Sequence, residues 1–284
     1  MTKSINRRTF LLGSAGTAIA AAVPTTAAAH GSLISRNHIG NVHWGLRKWT
    51  GGFNGYGMHE YTPQARYFEF RRAFYRRCNL WAQDFWNTLV TSTVPRLGLR
   101  YFVVRYTHRE YGNNRDHPNA IAMDLGAIHF WNLAEGRGDF VDMNMSWRDG
   151  ASLQQHRRYI AVAASLRVYF PEVLTFSHSG HVDHIHFDIN HPTTSGPLDF
   201  NTTPGSSTGR DVRIIQSACN WLNGERLAVD GVFGPVTTAA YNRLCRKFQI
   251  NPNRPKRDYL AAAQFLQLIA RHGLRNKLAG WYTA

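Results

Sequence analysis

The segment Asp183-His184-Ile185-His186-Phe187-Asp188-Ile189 alternates polar and apolar side chains without a break. Successive side chains of a β-strand point to opposite faces, so this period of two predicts a strand with both histidines and Asp188 on one face. The apolar residues then point the other way, into a core. The segment is the clearest strand in the chain, and its polar face is a candidate site.

Two imidazoles two residues apart on a strand, those of His184 and His186, can face one small site, and neutral imidazole is a good zinc ligand. A second segment, 116–124, offers complementary groups: Asp124 shares a strand face with small residues, and His117 lies beyond a Pro-Asn turn. Small side chains leave the open space around a carboxylate that a metal and its substrate require. One His and the Asp of this segment, with one His of the strand, would form a three-ligand site with an open fourth position, as in catalytic zinc sites.

Each signal also has a simpler interpretation. A His-x-His pair on an alternating strand is often only a polar outer face, and a lone His-x6-Asp has little specificity. The crowding of His178, His181, His184 and His186 into nine residues favours a site.

The combined pattern resembles the LAS-type metallopeptidases, which include D-Ala-D-Ala peptidases, phage endolysins and penicillin-insensitive murein endopeptidases. Their pattern is Ser-x-His-x-x-Gly-x-Ala-x-Asp, followed by an acid three residues before the last His or by His-x-x-His-x-His. This chain matches the first half at His117, Ala122 and Asp124, and it satisfies both forms of the second half. It departs where Arg115 replaces the Ser and Ala120 replaces the Gly.

The resemblance implies that His117, Asp124 and His186 bind Zn²⁺. It also implies that Asp183 is the general base. On a regular strand Asp183 would face away from His186, so it must lie at the entry of the strand. His184 is the alternative base or a group that stabilises the oxyanion, and the choice between the two stays open.

The family also uses an arginine ahead of the first His. Arg115, Arg109 and Arg105 are the candidates for contact with the substrate or the transition state, and His181 is a further one. The resemblance leaves open which peptidoglycan bond is cut.

The C-terminal region contains Asp230-Gly231-Val232-Phe233-Gly234-Pro235-Val236-Thr237 between helical stretches. This motif resembles the three-helix peptidoglycan-binding domain. Asp-Gly makes the turn, Phe233 packs in the core, and Pro235 opens the next helix. The resemblance implies attachment to the cell wall, which would raise the local concentration of substrate.

We therefore predict an α+β protein, in which a small antiparallel-sheet metallopeptidase domain flanked by helices precedes a three-helix peptidoglycan-binding domain. The polar segment 201–209 is typical of a linker. The predicted organisation is a signal peptide, a peptidase domain, a linker and a binding domain at residues 1–29, 30–200, 201–209 and 210–284. We predict helices at 62–90, 152–169, 211–222, 235–248 and 257–272, strands at 99–106, 120–128, 173–177 and 183–189, and aromatic, Gly-rich loops at 51–61 and 131–147.

The N-terminus contains paired arginines, Arg7 and Arg8, just before an apolar stretch rich in alanine and glycine. With a small-residue cleavage site ending at Ala29, this resembles a twin-arginine export signal. We expect a protein that is secreted to the periplasm or cell wall, with His30 first and no stable membrane anchor after cleavage.

The composition sets further limits. Hydrophobic residues make up 43% of the 284 residues, which is typical of a globular chain. The formal charge of +15 favours polyanionic neighbours such as wall polymers, and no nucleic-acid-binding module accompanies it. We expect a monomer that binds peptidoglycan and no nucleic acid. Three cysteines are too few for a disulfide framework, although Cys219 and Cys245 could form one disulfide bond.

Two alternatives remain. A degenerate peptidase domain would leave a non-catalytic wall-binding protein, as the changes at Arg115 and Ala120 allow. A mature N-terminal His30-Gly31 could instead chelate copper, as in lytic polysaccharide oxygenases.

Overall fold

The computed structural model describes residues 33–34, 57–60, 70–92, 97–106, 117, 121–132, 137–189, 196–200 and 209–275. The elements in chain order are β1 Leu33–Ile34, β2 Gly57–Glu60, β3 Phe70–Arg71, α1 Arg72–Ser92, β4 Leu97–Tyr106, β5 Ala122–Asn132, β6 Arg137–Asp142, α2 Leu153–Tyr169, β7 Glu172–Leu174, β8 Ile185–Asp188, α3 Arg210–Asn223, α4 Pro235–Lys247 and α5 Tyr259–Leu274. This mixture of helices and a largely antiparallel sheet confirms the α+β class.

The main sheet has six strands, with β5 at its centre. β5 is long enough to pair with β4 along one side, while its first half pairs with β8 and its second half with β6 on the other side. These pairings are antiparallel, and only β2 joins in parallel, beside β4. The candidate site lies on the first half of β5, opposite β8.

One face of this sheet packs against α1 and α2. Helix α1 has no interior Gly or Pro, and it buries Phe74, Trp81 and Phe85 at helical spacing. Phe187 of β8 packs against Phe74 and Trp81, with ring centroids 5.8 Å and 6.1 Å apart. The apolar face of the alternating strand therefore points into the core, as its sequence predicts.

Helix α2 begins at a capping box formed by Ser152 and Gln155. Its middle is buried on every side, because α1, α3 and α5 also pack against it. Gly273 of α5 lies close to the backbone of α2, since a Cβ at that position would be 2.3 Å from the carbonyl oxygen of Arg157.

The C-terminal helices α3, α4 and α5 confirm the three predicted helical stretches within one or two residues. Gly231 has a φ of 81°, so the Asp-Gly pair makes a turn that favours glycine. Phe233 packs against Tyr241, and Pro235 is in the first turn of α4.

Some predicted boundaries were wrong. The first helix begins at Arg72 instead of residue 62, after the short strand β3. The strand predicted at 173–177 ends at Leu174, because the amide of Thr175 donates to Nδ1 of His178 and the chain turns there. The strand predicted at 183–189 begins at Ile185. The two predicted loops contain the strands β2 and β6.

The described residues after Gly31 form one compact unit. A buried ion pair within it joins Arg167 of α2 to Asp211 of α3. The domain division at 201–209 stays a prediction. The signal peptide 1–29, His30 and all of the linker except Gly209 lie outside the described residues.

None of the helices described here has both the length and the apolar character needed to cross a membrane. Cys219 and Cys245 are free and buried, as is Cys78.

Candidate metal centre

The register of the sheet places Asp124 directly opposite His186. In the antiparallel pairing of β5 with β8, Asp124 is the partner of His186, and Ala122 is the partner of Asp188. The four side chains alternate with the core residues of their strands, so they share the face away from α1. Nδ1 of His186 is 2.8 Å from Oδ1 of Asp124.

His117 completes the group. Its Nε2 is 3.2 Å from Oδ1 of Asp124, and its ring centroid is 5.1 Å from that of His186. One potential ligand atom from each of the three residues lies within 4.8 Å of the others, and all three residues are buried. This group could hold a metal ion, and its two nitrogens and one oxygen are a set that zinc favours.

The charges of the group are strongly coupled. Burial alone would raise the pKa of Asp124, but hydrogen bonds with His117 and His186 outweigh burial and hold this pKa well below its usual value. Burial would lower the pKa of His186, yet Asp124 and Asp188 raise it to about 10. Asp124 and Asp188 thus stabilise positive charge at His186, and a metal ion bound there would take the place of the proton.

Asp188 has a role that the sequence analysis missed. Oδ2 of this fully buried residue is 3.1 Å from Nε2 of His186, on the side of the ring away from Asp124. Metal-binding histidines usually donate their second nitrogen to such a carboxylate, which fixes the orientation of the ring. The alternating pattern places Asp188 on the same face as His186, and this pattern could have indicated the contact between them.

Asp183 and His184 lie in the turn just before β8. Asp183 therefore does not have to face away from His186, as it would on a regular strand. Freed from the alternation of the strand, Asp183 places Oδ1 2.6 Å from Nδ1 of His184. Nε2 of His184 lies 3.6 Å from Oδ1 of Asp124. His184 therefore has one nitrogen on Asp183 and the other facing the candidate metal group.

Arg105 reaches this pair from β4. Its guanidinium contacts the Asp183 carboxylate. Burial opposes the effect, but His184 and Arg105 together lower the pKa of Asp183. Gly126 makes room for the arginine, because a Cβ at Gly126 would be 3.2 Å from Cγ of Arg105. Of the three candidate arginines, Arg105 alone falls within the described residues, and Arg109 and Arg115 lie outside them.

The ring of His181 borders the group. Its ring centroid is 5.0 Å from that of His184 and 5.6 Å from that of His186. Burial and these two neighbouring rings lower the pKa of His181 to about 4, so it is neutral near pH 7. His178 lies further from the group, and its ring centroid is 6.4 Å from that of His181.

The structure therefore brings together His117, Asp124 and His186, with His184, Asp183 and His181 alongside. No protein-family model matches the chain, and no curated protein or solved structure shows a significant match either.

Proposed function

We propose that this chain is an exported, zinc-dependent peptidase that hydrolyses peptide bonds in the stems or cross-links of peptidoglycan. The observation that carries this proposal is the buried group His117, Asp124 and His186. Two imidazoles and one carboxylate form a donor set typical of catalytic zinc sites. The resemblance of the same three positions to the LAS-type pattern is the reason for the peptidoglycan substrate.

Zinc bound by these three residues would lower the pKa of water and polarise a carbonyl oxygen. Asp188 would keep the ring of His186 in its ligating orientation through the 3.1 Å contact with Nε2. Gly126, on the same face of β5 as Asp124, leaves room for the side chain of Arg105 beside the site.

We assign the general base to Nε2 of His184. This atom faces the metal group, while Nδ1 is fixed by Asp183 2.6 Å away. A base in this position can take a proton from water and deliver it to the leaving amine. Asp183, which Arg105 contacts, would orient the ring and stabilise its cationic form, as a carboxylate does in catalytic triads.

The C-terminal helices would attach the protein to the cell wall. The motif from Asp230 to Thr237 forms a turn at Gly231 and a helix start at Pro235, and these two features support the resemblance to the three-helix binding domain. The formal charge of +15 favours anionic wall polymers. We propose a secreted monomer whose natural partner is peptidoglycan.

The experiment is peptide release from purified peptidoglycan, followed by mass spectrometry, with and without a chelator. The wild type should release peptides, lose this activity with the chelator and regain it with zinc, and the new ends will identify the bond. His184→Ala should keep its zinc and lose activity, whereas the control His129→Gln, on the same strand as Asp124, should keep both. A wild type that binds peptidoglycan but releases nothing would instead support the non-catalytic wall-binding protein.

A further inference from the structure

The residues next to the metal group include a compact turn, residues 175–184, that carries His178, His181 and His184. We call it the histidine turn. Within it, the amide of His178 donates to the carbonyl of Thr175 and the amide of His181 donates to that of His178, while its other internal hydrogen bonds involve side chains. Gly180 in the turn has a φ of 81°. A segment of this kind, which has little regular structure, depends on neighbouring elements to hold one conformation.

The first neighbour that holds the histidine turn is α3. Nη1 of Arg213 donates to the carbonyl of Ser177 at 2.8 Å and to the carbonyl of Val229 at 3.0 Å. The arginine thus joins the histidine turn to the loop of the Asp230–Gly231 motif. The same guanidinium lies against Gly231, where a Cβ would be 2.9 Å from its Nε.

A second connection runs through aromatic side chains. Trp221 of α3 packs against Phe176, with ring centroids 5.8 Å apart. Phe176 stacks on Trp147 at 4.7 Å with their planes 8° apart. Nε1 of Trp147 then donates to the carbonyl of Val182 at 2.8 Å, directly before Asp183. The histidine turn is therefore held near both of its ends.

Helix α3 is itself firmly attached to the elements around the site. Arg167 of α2 makes a buried, two-fold hydrogen-bonded pair with Asp211, at 2.7 Å and 2.9 Å. The neighbouring Arg210 contacts Glu172 of β7. Because α3 is fixed in this way, its contacts with the histidine turn can hold that turn in one conformation.

We propose that α3, acting through Arg213 and the stack Trp221–Phe176–Trp147, is a positioning element of the catalytic centre. The C-terminal helices would then do more than attach the protein to the wall, since they set the place of His181 and His184 beside the metal group. Arg213 is a positioning residue, because it acts on His184 through the backbone of the histidine turn. The catalytic part of this inference rests on the proposed peptidase function.

The test is hydrogen–deuterium exchange of the full mature protein, with two variants that each loosen one end of the histidine turn. Arg213→Ala removes the donor to Ser177. Trp147→Phe removes only the indole donor to Val182 and keeps a stacking ring. Arg243→Ala is the matched control, since Arg243 lies on α4 and makes an exposed ion pair with Glu225.

In both variants the amides of residues 175–184 should exchange about tenfold faster, whereas those of α4 and β5 should not change. Arg213→Lys should restore part of the protection, and the control should behave as the wild type. Unchanged exchange of the histidine turn in both Arg213→Ala and Trp147→Phe would overturn the proposal. If Arg213→Ala fails to fold, Trp147→Phe and Arg213→Lys decide by the same readout.

Exchange separates this inference from the peptidase proposal. In an active enzyme, Arg213→Ala should lower kcat by about tenfold with little change in KM or zinc content, because the base is displaced while the metal ligands stay in place. If the wild type releases no peptides, the peptidase proposal fails, and the exchange of the histidine turn still tests the positioning by α3.

Discussion

Asp124 and His186 are partners in the β5–β8 ladder, and their side chains meet with Nδ1 of His186 2.8 Å from Oδ1 of Asp124. The two residues are 62 positions apart in sequence. Their pairing depends on the register of two strands, in which a shift of one residue would turn every side chain to the opposite face. The candidate metal centre is therefore a direct product of the sheet.

Asp188→Asn should weaken zinc binding without removing a ligand. The variant keeps the size of the side chain but loses the charge that fixes Nε2 of His186. Loss of such a supporting carboxylate typically lowers metal affinity by about 10–100-fold. Competition with a chelating dye would measure the zinc Kd, with Asp199→Asn, an exposed acid elsewhere in the chain, as the control. Equal affinities in the wild type and Asp188→Asn would exclude this role for Asp188.

Arg105→Ala should reduce catalysis while zinc stays bound. The arginine contacts Asp183, which is not one of the three proposed metal ligands. Without it, Asp183 would hold His184 less firmly, and kcat should fall by about tenfold or more. Steady-state kinetics and metal analysis on the same samples measure this, with Arg254→Ala as the control because Arg254 makes an exposed ion pair with Asp258. A loss of zinc in Arg105→Ala would show that Arg105 supports the metal ligands instead.

Gly273→Ala should destabilise the protein, although alanine favours helices by about 1 kcal/mol over glycine. A Cβ at Gly273 would lie 2.3 Å from the carbonyl oxygen of Arg157 and 2.8 Å from Cβ of Ala161. The backbones of α5 and α2 would have to separate, and such overpacking typically costs about 1–3 kcal/mol or more. Urea unfolding measures the change in the free energy of unfolding.

The control for this substitution is Gln264→Ala, at an exposed position of the same helix, which should change stability by less than about 0.5 kcal/mol. If Gly273→Ala were as stable as the wild type or more stable, the close packing of α5 on α2 would be contradicted.

The sequence predicted well what depends on local periodicity. The alternation from Asp183 to Ile189 predicted β8 and the face shared by His186 and Asp188. The three C-terminal helices followed from their own spacing and from Pro235 at the start of α4. The three-residue group His117, Asp124 and His186 followed from the family resemblance, and the structure brings these residues together.

What escaped prediction depends on contacts between distant residues. The strand expected at 173–177 ends early because the side chain of His178 bonds the amide of Thr175, an interaction that no β-propensity reports. The contact of Arg105 with Asp183 depends on the space at Gly126 across the sheet. The packing of α3 on the histidine turn joins two segments on either side of the predicted linker.

The most direct test of the central claim is the zinc content and muropeptide release of the purified mature protein, measured beside His186→Ala. We predict stoichiometric zinc and new peptide ends in the wild type, with both lost in the variant because His186 is a ligand. A folded wild type that carries no metal and releases no peptides, or a His186→Ala variant that retains both properties, would contradict the account.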